Sequence, residues 1–372
     1  MLTLIPNIIF SCALFILLVY GFSALWKYLE YSETRQDRTD YVKTRDGWRI
    51  AIHNYRPSDP VQGKPVILCH GIASNRFMFD LDNAPSLAGF LKNGRRDVWV
   101  AELRGSGCSD QPGLLLSNRP MKWTFDDHLT YDVEAIIEHV MKQTGAGSVH
   151  WVGHSMGGML AQAYISRTGS SSVASVIALG SPVNFESIKN HLFAKALRLR
   201  PILRILPFNP LMPLIKLLAP VGGLFPGILS IFVSCGNIER LALRKVTAMG
   251  LELISSSAVW LDIARFVDSG KFSDSFGKPY LEKLRGSPTP LLSICGSKDL
   301  MAPERSVQPC SCNTGGEFPI REKIVLGKDS GQIDDYGHID LLLGVRAQEE
   351  VFPLVEQWLS RWDCGDEAEV KP

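Results

Sequence analysis

The sequence lacks a marked excess of charge of either sign, and its cysteines lack the spacing of a disulfide framework. Its 39 Lys and Arg residues nearly balance 38 Asp and Glu residues, for a formal net charge of +1 at pH 7. This balance gives no reason to expect a nucleic-acid partner, which a concentrated basic domain would indicate. The eight cysteines are scattered. Cys69 and Cys295 stand inside apolar, strand-like runs, which favours buried thiols. Cys310-x-Cys312 is too closely spaced to indicate a metal site without a second ligand pair, so no metal is expected.

The amino-terminal segment also lacks charge, because no charged side chain occurs before Lys27. Residues 8–26 form an almost continuous apolar run, which as a helix is long enough to cross a hydrocarbon core of about 30 Å. Residues 1–30 are therefore predicted to be a transmembrane anchor. The nearby Lys and Arg residues all follow the run, so the positive-inside rule places the following domain in the cytoplasm. The alternative is a signal peptide cleaved near Gly21-Phe22-Ser23, which would give a secreted protein.

After a polar juxtamembrane linker, residues 31–45, apolar strand-like runs alternate with segments of helical periodicity. This alternation predicts one α/β domain over residues 46–363, with a mostly parallel sheet and helices on both faces.

Residues 182–285 interrupt the alternation of strands and helices. That segment is too long for a plain connection and too apolar for disorder, so it is predicted to be an inserted, largely helical cap. Residues 364–372 form a polar tail. The predicted strands are residues 48–55, 65–69, 97–103, 173–179, 290–295 and 323–326, together with the short apolar run at residues 149–152. The last helix is predicted over residues 347–362.

The most specific motif of the chain lies at residues 153–158, which read Gly-His-Ser-Met-Gly-Gly. A short apolar run precedes it and a helix-like segment, residues 159–167, follows it. Strand, sharp turn and helix are the context in which Gly-x-Ser-x-Gly presents a serine hydroxyl above a sheet. Ser155 is therefore a candidate nucleophile, against the alternative of a glycine-rich turn with a surface serine.

With this motif the sequence resembles serine hydrolases of the α/β-hydrolase superfamily, near the esterase, lipase and monoglyceride-lipase-like members. The resemblance covers about residues 46–362 and is weakest between residues 182 and 285. It implies an α/β-hydrolase fold and cleavage of carboxylic esters through an acyl-enzyme, without a cofactor.

A serine nucleophile requires a base, and histidine is the natural one at neutral pH. His338 follows the last strand-like run within Tyr-Gly-His-Ile-Asp, and it keeps the chain order serine, acid, histidine. Asp299 is the predicted acid that orients the imidazole, because its surroundings match the family pattern Gly-x-x-Asp-x-x-x-Pro. Asp299 could instead cap a helix. Asp334, Asp335 and Asp340 are the alternative acids.

The resemblance also implies two backbone N–H donors for the negative oxygen of the tetrahedral intermediate. One is the residue after the nucleophile, Met156. The other follows an early strand, where His70-Gly71-Ile72 resembles the common His-Gly-x form and assigns the Ile72 N–H. The side chains of His70 and His154 are predicted to be structural.

Residues 187–238 contain six Lys and Arg residues and no Asp or Glu, interleaved with many apolar residues. This pattern suits a surface that rests on an anionic membrane, or a cap that packs on the core with solvated cations. Either interpretation predicts an apolar roof and an acylglycerol or phospholipid ester substrate, reached from a membrane bound through residues 8–26. The alternatives are a thioesterase, an acyltransferase, or a ligand-binding protein of this fold with little turnover.

Overall fold

The computed structural model describes residues 14, 18–19, 21–112, 122–169, 171–188, 216, 230–234, 236–252, 254–307 and 321–363. The strands within these residues are Arg38–Lys43 (β1), Arg49–Tyr55 (β2), Val66–Cys69 (β3), Val98–Glu102 (β4), Val149–His154 (β5), Val173–Leu179 (β6), Leu291–Gly296 (β7) and Arg321–Leu326 (β8).

The strands form one sheet in the order β1-β2-β4-β3-β5-β6-β7-β8. The β1–β2 and β2–β4 pairs are antiparallel, and the pairs from β4–β3 to β7–β8 are parallel. The predicted mostly parallel sheet is therefore confirmed. The carboxyl ends of β3, β5, β6, β7 and β8 lie along one edge, where loops bring chemically active side chains together.

The first strand was not predicted, because β1 lies inside residues 31–45, the expected linker. Its backbone pairs with β2 from Arg38 opposite Asn54 to Lys43 opposite Arg49. The strand forms the edge of the sheet and none of its residues is fully buried, so its sequence carries no apolar run. The segment predicted as a linker thus contributes to the folded domain.

The helices cover the sheet on both faces. They are Leu87–Asn93 (α1), Val133–Thr144 (α2), Met156–Thr168 (α3), Arg240–Lys245 (α4), Ser257–Ser269 (α5), Asp340–Leu343 (α6), Ala347–Glu350 (α7) and Phe352–Arg361 (α8). A short turn at Phe125–Asp127 and a π-helical segment at His128–Asp132 lead into α2. The expected single helix at residues 347–362 is two helices, and Pro353, which has no N–H to donate, stands in the first turn of the second.

Strand residues alternate between two apolar cores, as the period of two in a strand requires. In β5, Trp151 packs with α2, α3 and α5 on one face, while Val152 packs with α1 and α8 on the other. The fully buried strands read as continuous apolar runs for this reason, which is why their positions could be predicted closely.

The described part of residues 182–285 forms helices and turns and adds no strand to the sheet. Its helix α5 buries Trp260, Ile263 and Phe266 against the same core that contains β5. The helical cap over residues 182–285 stays a prediction. Much of the basic and apolar stretch at residues 187–238 lies outside the described residues.

At the amino terminus, residues 21–29 are helical. Trp26 packs beneath the guanidinium of Arg244 in α4, and Glu30 forms an ion pair with the same arginine. No helix among the described residues is long and apolar enough to span a membrane. Most of the apolar run predicted to span one, residues 8–26, falls outside the described residues, as do Cys310, Cys312 and residues 364–372.

Candidate active site

Ser155 occupies a sharp turn between β5 and α3. Its backbone has φ 52° and ψ −120°, a conformation that L residues rarely adopt and that typically costs about 1–3 kcal/mol. A Cβ at Gly153 would overlap the backbone of Gly157, and a Cβ at Gly157 would overlap the carbonyl of Cys69. The two glycines therefore permit the close approach of strand and helix that holds the serine in this turn.

His338 and Asp299 form a buried pair on the loops that follow β8 and β7. The Asp299 Oδ2 lies 2.8 Å from His338 Nδ1. The other carboxylate oxygen accepts the backbone N–H groups of Met301 (2.9 Å) and Ala302 (2.7 Å). The side chain of Asp299 is fully buried and that of His338 is 4% exposed. The carboxylate is thus fixed in place and presents one oxygen to the imidazole.

This pair lies beside the serine turn. The His154 Nε2 lies 3.0 Å from the His338 carbonyl oxygen, and the centroids of the two rings are 4.7 Å apart. The Ser155 N–H donates to the Leu179 carbonyl at 2.8 Å, and the next residue, Gly180, borders both His338 and Asp299. The structure therefore gathers the predicted serine, base and acid at the carboxyl ends of β5, β8 and β7.

The alternative acids make other contacts. Asp340 accepts the N–H groups of Gly337 (2.8 Å) and Ser234 (3.2 Å), so it supports the histidine loop. Burial raises the pKa of Asp340 to about 6. Asp335 accepts from Ser297, and Asp334 pairs with Arg346 at 3.7 Å. Among the described aspartates, Asp299 is the one hydrogen-bonded to His338.

The predicted oxyanion donors line a single cavity. Gly71 packs against the nucleophile, since a Cβ there would lie 2.9 Å from Ser155 Cβ and 3.4 Å from its Oγ. Met156 begins α3, where backbone N–H groups have no partner within the helix. The cavity has both apolar and polar walls. The apolar side chains include Ile72, Ala73, Leu103, Met156, Ile254 and Val259, and the polar ones include His70, Arg104, Ser106, His128 and Ser255.

Two histidines beside the serine are held neutral. His70 Nε2 accepts the Leu103 N–H at 3.1 Å, so its Nδ1 carries the proton and donates to the Gly71 carbonyl at 2.8 Å. Burial lowers the pKa of His70 to about 4 and that of His154 to about 3. Both rings brace the loops around Ser155, in agreement with the structural roles expected for them.

One group of possible metal ligands occurs among the described residues, where His53, Glu102 and Cys108 bring donor atoms within 4.8 Å of one another. Their lone pairs are already engaged. Glu102 bonds His53 at 2.9 Å, Arg76 at 3.0 Å and the Cys108 N–H at 2.6 Å, and these partners lower the pKa of Glu102 to about 2. We interpret this group as a structural network.

Sequence reasoning did not identify the buried contacts that hold the loops of this site. The Phe232 carbonyl, in the cap, accepts the N–H groups of His338 (3.2 Å) and Ile339 (2.9 Å). Glu252, also in the cap, accepts from Asn75 and Gly107. Neither residue belongs to a recognisable motif, and each is distant in sequence from the loop that it contacts.

Part of the chain is similar in sequence to known proteins. Residues 64–202 match the model of a family described as alpha/beta hydrolase fold. Lipase 1 of Drosophila melanogaster is 31% identical over 125 residues, covering 33% of this chain and 28% of that protein. Human lysosomal acid lipase/cholesteryl ester hydrolase is 31% identical over 124 residues, 31% of each chain. The chain thus spans about a third of the length of the curated relatives that it matches.

Solved structures resemble the chain over most of its length. An esterase from Thermogutta terrifontis has a TM-score of 0.56 at 18% identity, covering 88% of this chain and 100% of that chain. A membrane phospholipase A, described as a bacterial virulence factor, has a TM-score of 0.54 at 14% identity, covering 97% and 96%. At these identities the likeness establishes a shared fold.

Proposed function

We propose that this chain is a serine hydrolase of the α/β-hydrolase superfamily that cleaves carboxylic esters through an acyl-enzyme, which its similarity to an alpha/beta hydrolase family model and to lipases supports. The observation that carries this proposal is the buried His338–Asp299 pair, joined at 2.8 Å, beside a serine with φ 52° in a strand-to-helix turn. A histidine so oriented has its Nε2 available to accept a proton from the serine hydroxyl.

In the proposed reaction, His338 takes the proton of Ser155 as the oxygen attacks the acyl carbonyl. The N–H groups of Ile72 and Met156 stabilise the oxyanion, and Asp299 stabilises the imidazolium. The tetrahedral intermediate collapses as His338 donates its proton to the leaving alcohol, which leaves an acyl-enzyme. His338 then deprotonates water, the water attacks the acyl carbon, and the released Ser155 oxygen regains the proton from His338.

The substrate that we propose is an ester with a long acyl chain, of acylglycerol or phospholipid type. The many apolar residues at positions 187–238 support this class, and so do the lipases among the relatives. The test is hydrolysis of p-nitrophenyl esters of graded chain length, of a thioester and of a monoacylglycerol, beside Ser155→Ala. We expect a serine-dependent rate that rises with chain length. Absence of turnover by well-folded wild type would reject the proposal, and a preference for the thioester would reassign the reaction.

We also propose that residues 1–30 anchor the protein in a membrane, with the domain in the cytoplasm. The charge-free apolar run at residues 8–26 and the Lys and Arg residues after it support this placement. The protein should stay in the pellet after carbonate washing, and added protease should leave the domain intact in sealed cells. Recovery of a shortened protein from the medium would indicate a cleaved signal peptide instead.

A further inference from the structure

A buried carboxylate in the cap contacts the loop that carries one oxyanion donor. Glu252 is 8% exposed, and its Oε1 accepts Asn75 Nδ2 at 2.6 Å and the Gly107 N–H at 2.8 Å. Its own N–H donates to the Ala73 carbonyl at 2.9 Å. One cap residue thereby holds the chain directly after Ile72.

The loop that it holds is strained. Ala73 has φ 52°, in the left-handed region that residues with a Cβ rarely adopt. The neighbouring residue, Ser74, forms an antiparallel bridge with Leu251, so the cap backbone lies alongside the loop. A strained conformation persists only when surrounding contacts over-determine it, and here those contacts come from the cap.

Asn75 extends the same connection. Its Nδ2 also donates to the Met249 carbonyl at 2.8 Å, and its Oδ1 accepts the Phe77 N–H at 3.1 Å. The side chain therefore ties the cap to the first turn after the loop. Ile254 and Val259, just beyond Glu252, form a wall of the cavity that Ile72 and Met156 also line.

We propose that Glu252 is a positioning residue that sets the direction of the Ile72 N–H by clamping residues 73–75 to the cap. The inference rests on the proposed esterase function. An oxyanion donor acts only when it is aimed at the position of the developing charge, so loosening this clamp lowers kcat more than it changes KM. The cap is then part of the catalytic geometry as well as a cover for the substrate.

The test compares Glu252→Ala and Glu252→Gln with wild type in the full-length protein. Glu252→Ala should lower kcat by about 10- to 100-fold, with KM within about threefold, because removal of an oxyanion donor itself costs about 100- to 1,000-fold. Glu252→Gln keeps an acceptor oxygen but loses the charge-assisted bonds, so it should restore most of the lost kcat. The rate of fluorophosphonate labelling should follow kcat.

Glu356→Ala is the matched control, because it removes a carboxylate that accepts from Arg96 at 2.7 Å and from Ser360 at 2.9 Å, far from the site. It should leave kcat unchanged. Wild-type kcat in folded Glu252→Ala, a loss confined to KM, or an equal loss in Glu356→Ala would overturn the inference. If Glu252→Ala does not fold, Asn75→Ala decides, because it removes the loop side of the same hydrogen bond: a reduced kcat at constant KM supports the proposal, and wild-type kcat refutes it. Inactive wild type would instead overturn the proposed function.

Discussion

Within the described residues, a serine, a histidine and an aspartate meet at both ends of the central sheet. At the carboxyl end, Ser155 lies beside the pair of His338 and Asp299. At the amino end, Ser175 Oγ lies 2.8 Å from His150 Nδ1, and His150 Nε2 lies 3.1 Å from Asp363. The second set is also hydrogen-bonded in the order serine, histidine, aspartate, as in a catalytic triad. Comparison of the two sets shows which further features an active site needs.

The surroundings of the two serines differ. Ser175 sits in the regular strand β6 and is completely buried, so no substrate reaches its hydroxyl. Ser155 occupies a strained turn, is 9% exposed, and lies against the loop that carries the Ile72 N–H. Position at a strand end, access and nearby N–H donors distinguish the candidate active site from the buried set.

The two aspartates also differ in their role. Asp299 gives one oxygen to His338 and the other to backbone N–H groups. Asp363 instead accepts from His150, from the Lys64 N–H at 2.8 Å and from Arg96 at 2.8 Å. It therefore connects the end of α8 to the amino edge of the sheet, and we interpret this second set as a structural hydrogen-bond network.

The largest effect that separates the two sets is on catalysis. His338→Ala and Asp299→Asn should each lower kcat by about 10⁴-fold, because a triad without its base or its orienting acid keeps little of its rate. His150→Gln, the matched change at the amino end, should leave kcat per folded molecule unchanged. Steady-state ester hydrolysis, corrected for the folded fraction by circular dichroism, is the measurement. Comparable losses in His150→Gln would remove the distinction between the two ends.

Low pH should destabilise the folded protein through buried histidines at both ends of the sheet. Burial lowers the folded-state pKa of His70 to about 4 and that of His154 to about 3, and it also lowers the pKa of His150. In the unfolded chain these histidines bind protons below about pH 6.5, whereas in the folded protein they stay neutral to lower pH. The stability present above about pH 6.5 is therefore lost as the pH falls toward the folded-state pKa values. Asp340, with its raised pKa, offsets part of this loss by binding a proton first in the folded state.

The free energy of unfolding should therefore fall by about 2–4 kcal/mol between about pH 7.5 and 5. Urea titrations at about pH 7.5, 6 and 5 measure it. His150→Gln removes one of the three groups and should make the decline shallower. A free energy of unfolding that stays constant over this range would contradict the neutral, buried state of these rings.

Weakening the hydrogen bonds of Asp363 should affect stability alone. Asp363→Asn weakens the bonds from Arg96 and His150, and we expect a loss of about 1–3 kcal/mol in the free energy of unfolding, with kcat unchanged. The surrounding residues lower the pKa of Asp363, so its contribution is present above about pH 4 and lost as the carboxylate is protonated at lower pH. Asp59→Asn, an exposed carboxylate with a 3.8 Å ion pair to Arg95, is the control. A fall in kcat without loss of stability would refute a purely structural role.

The smallest expected effect is that of Ser175→Ala, which removes the hydrogen-bond donor to His150 Nδ1. The loss should be about 1 kcal/mol, the usual net value of a neutral hydrogen bond. Chemical denaturation measures it, with ester hydrolysis in parallel. A loss of turnover larger than tenfold would show that the amino end takes part in catalysis.

The buried strands of the sheet could be predicted from sequence because each is a short apolar run between turn signals. The predicted strand at residues 173–179 and the observed β6 share the same bounds. The edge strand β1 escaped prediction because solvent on one side removes the apolar signal. The candidate site could also be predicted from short sequence motifs, since Ser155 and Asp299 stand in motifs that follow strands.

Contacts between distant segments could not be predicted. Glu252 lies 177 positions from Asn75, and Asp363 lies 213 positions from His150. No local pattern marks such pairs, because they form only when the sheet and cap are assembled. The choice of Asp299 over Asp334, Asp335 and Asp340 likewise depended on family resemblance.

The catalytic role of Ser155 is tested most directly by fluorophosphonate labelling of wild type beside Ser155→Ala and Ser175→Ala. We expect strong labelling of wild type and of Ser175→Ala, and none of Ser155→Ala, with mass spectrometry placing the adduct on the peptide that contains Ser155. Absence of labelling in folded wild type, or labelling that persists in Ser155→Ala, would contradict this role.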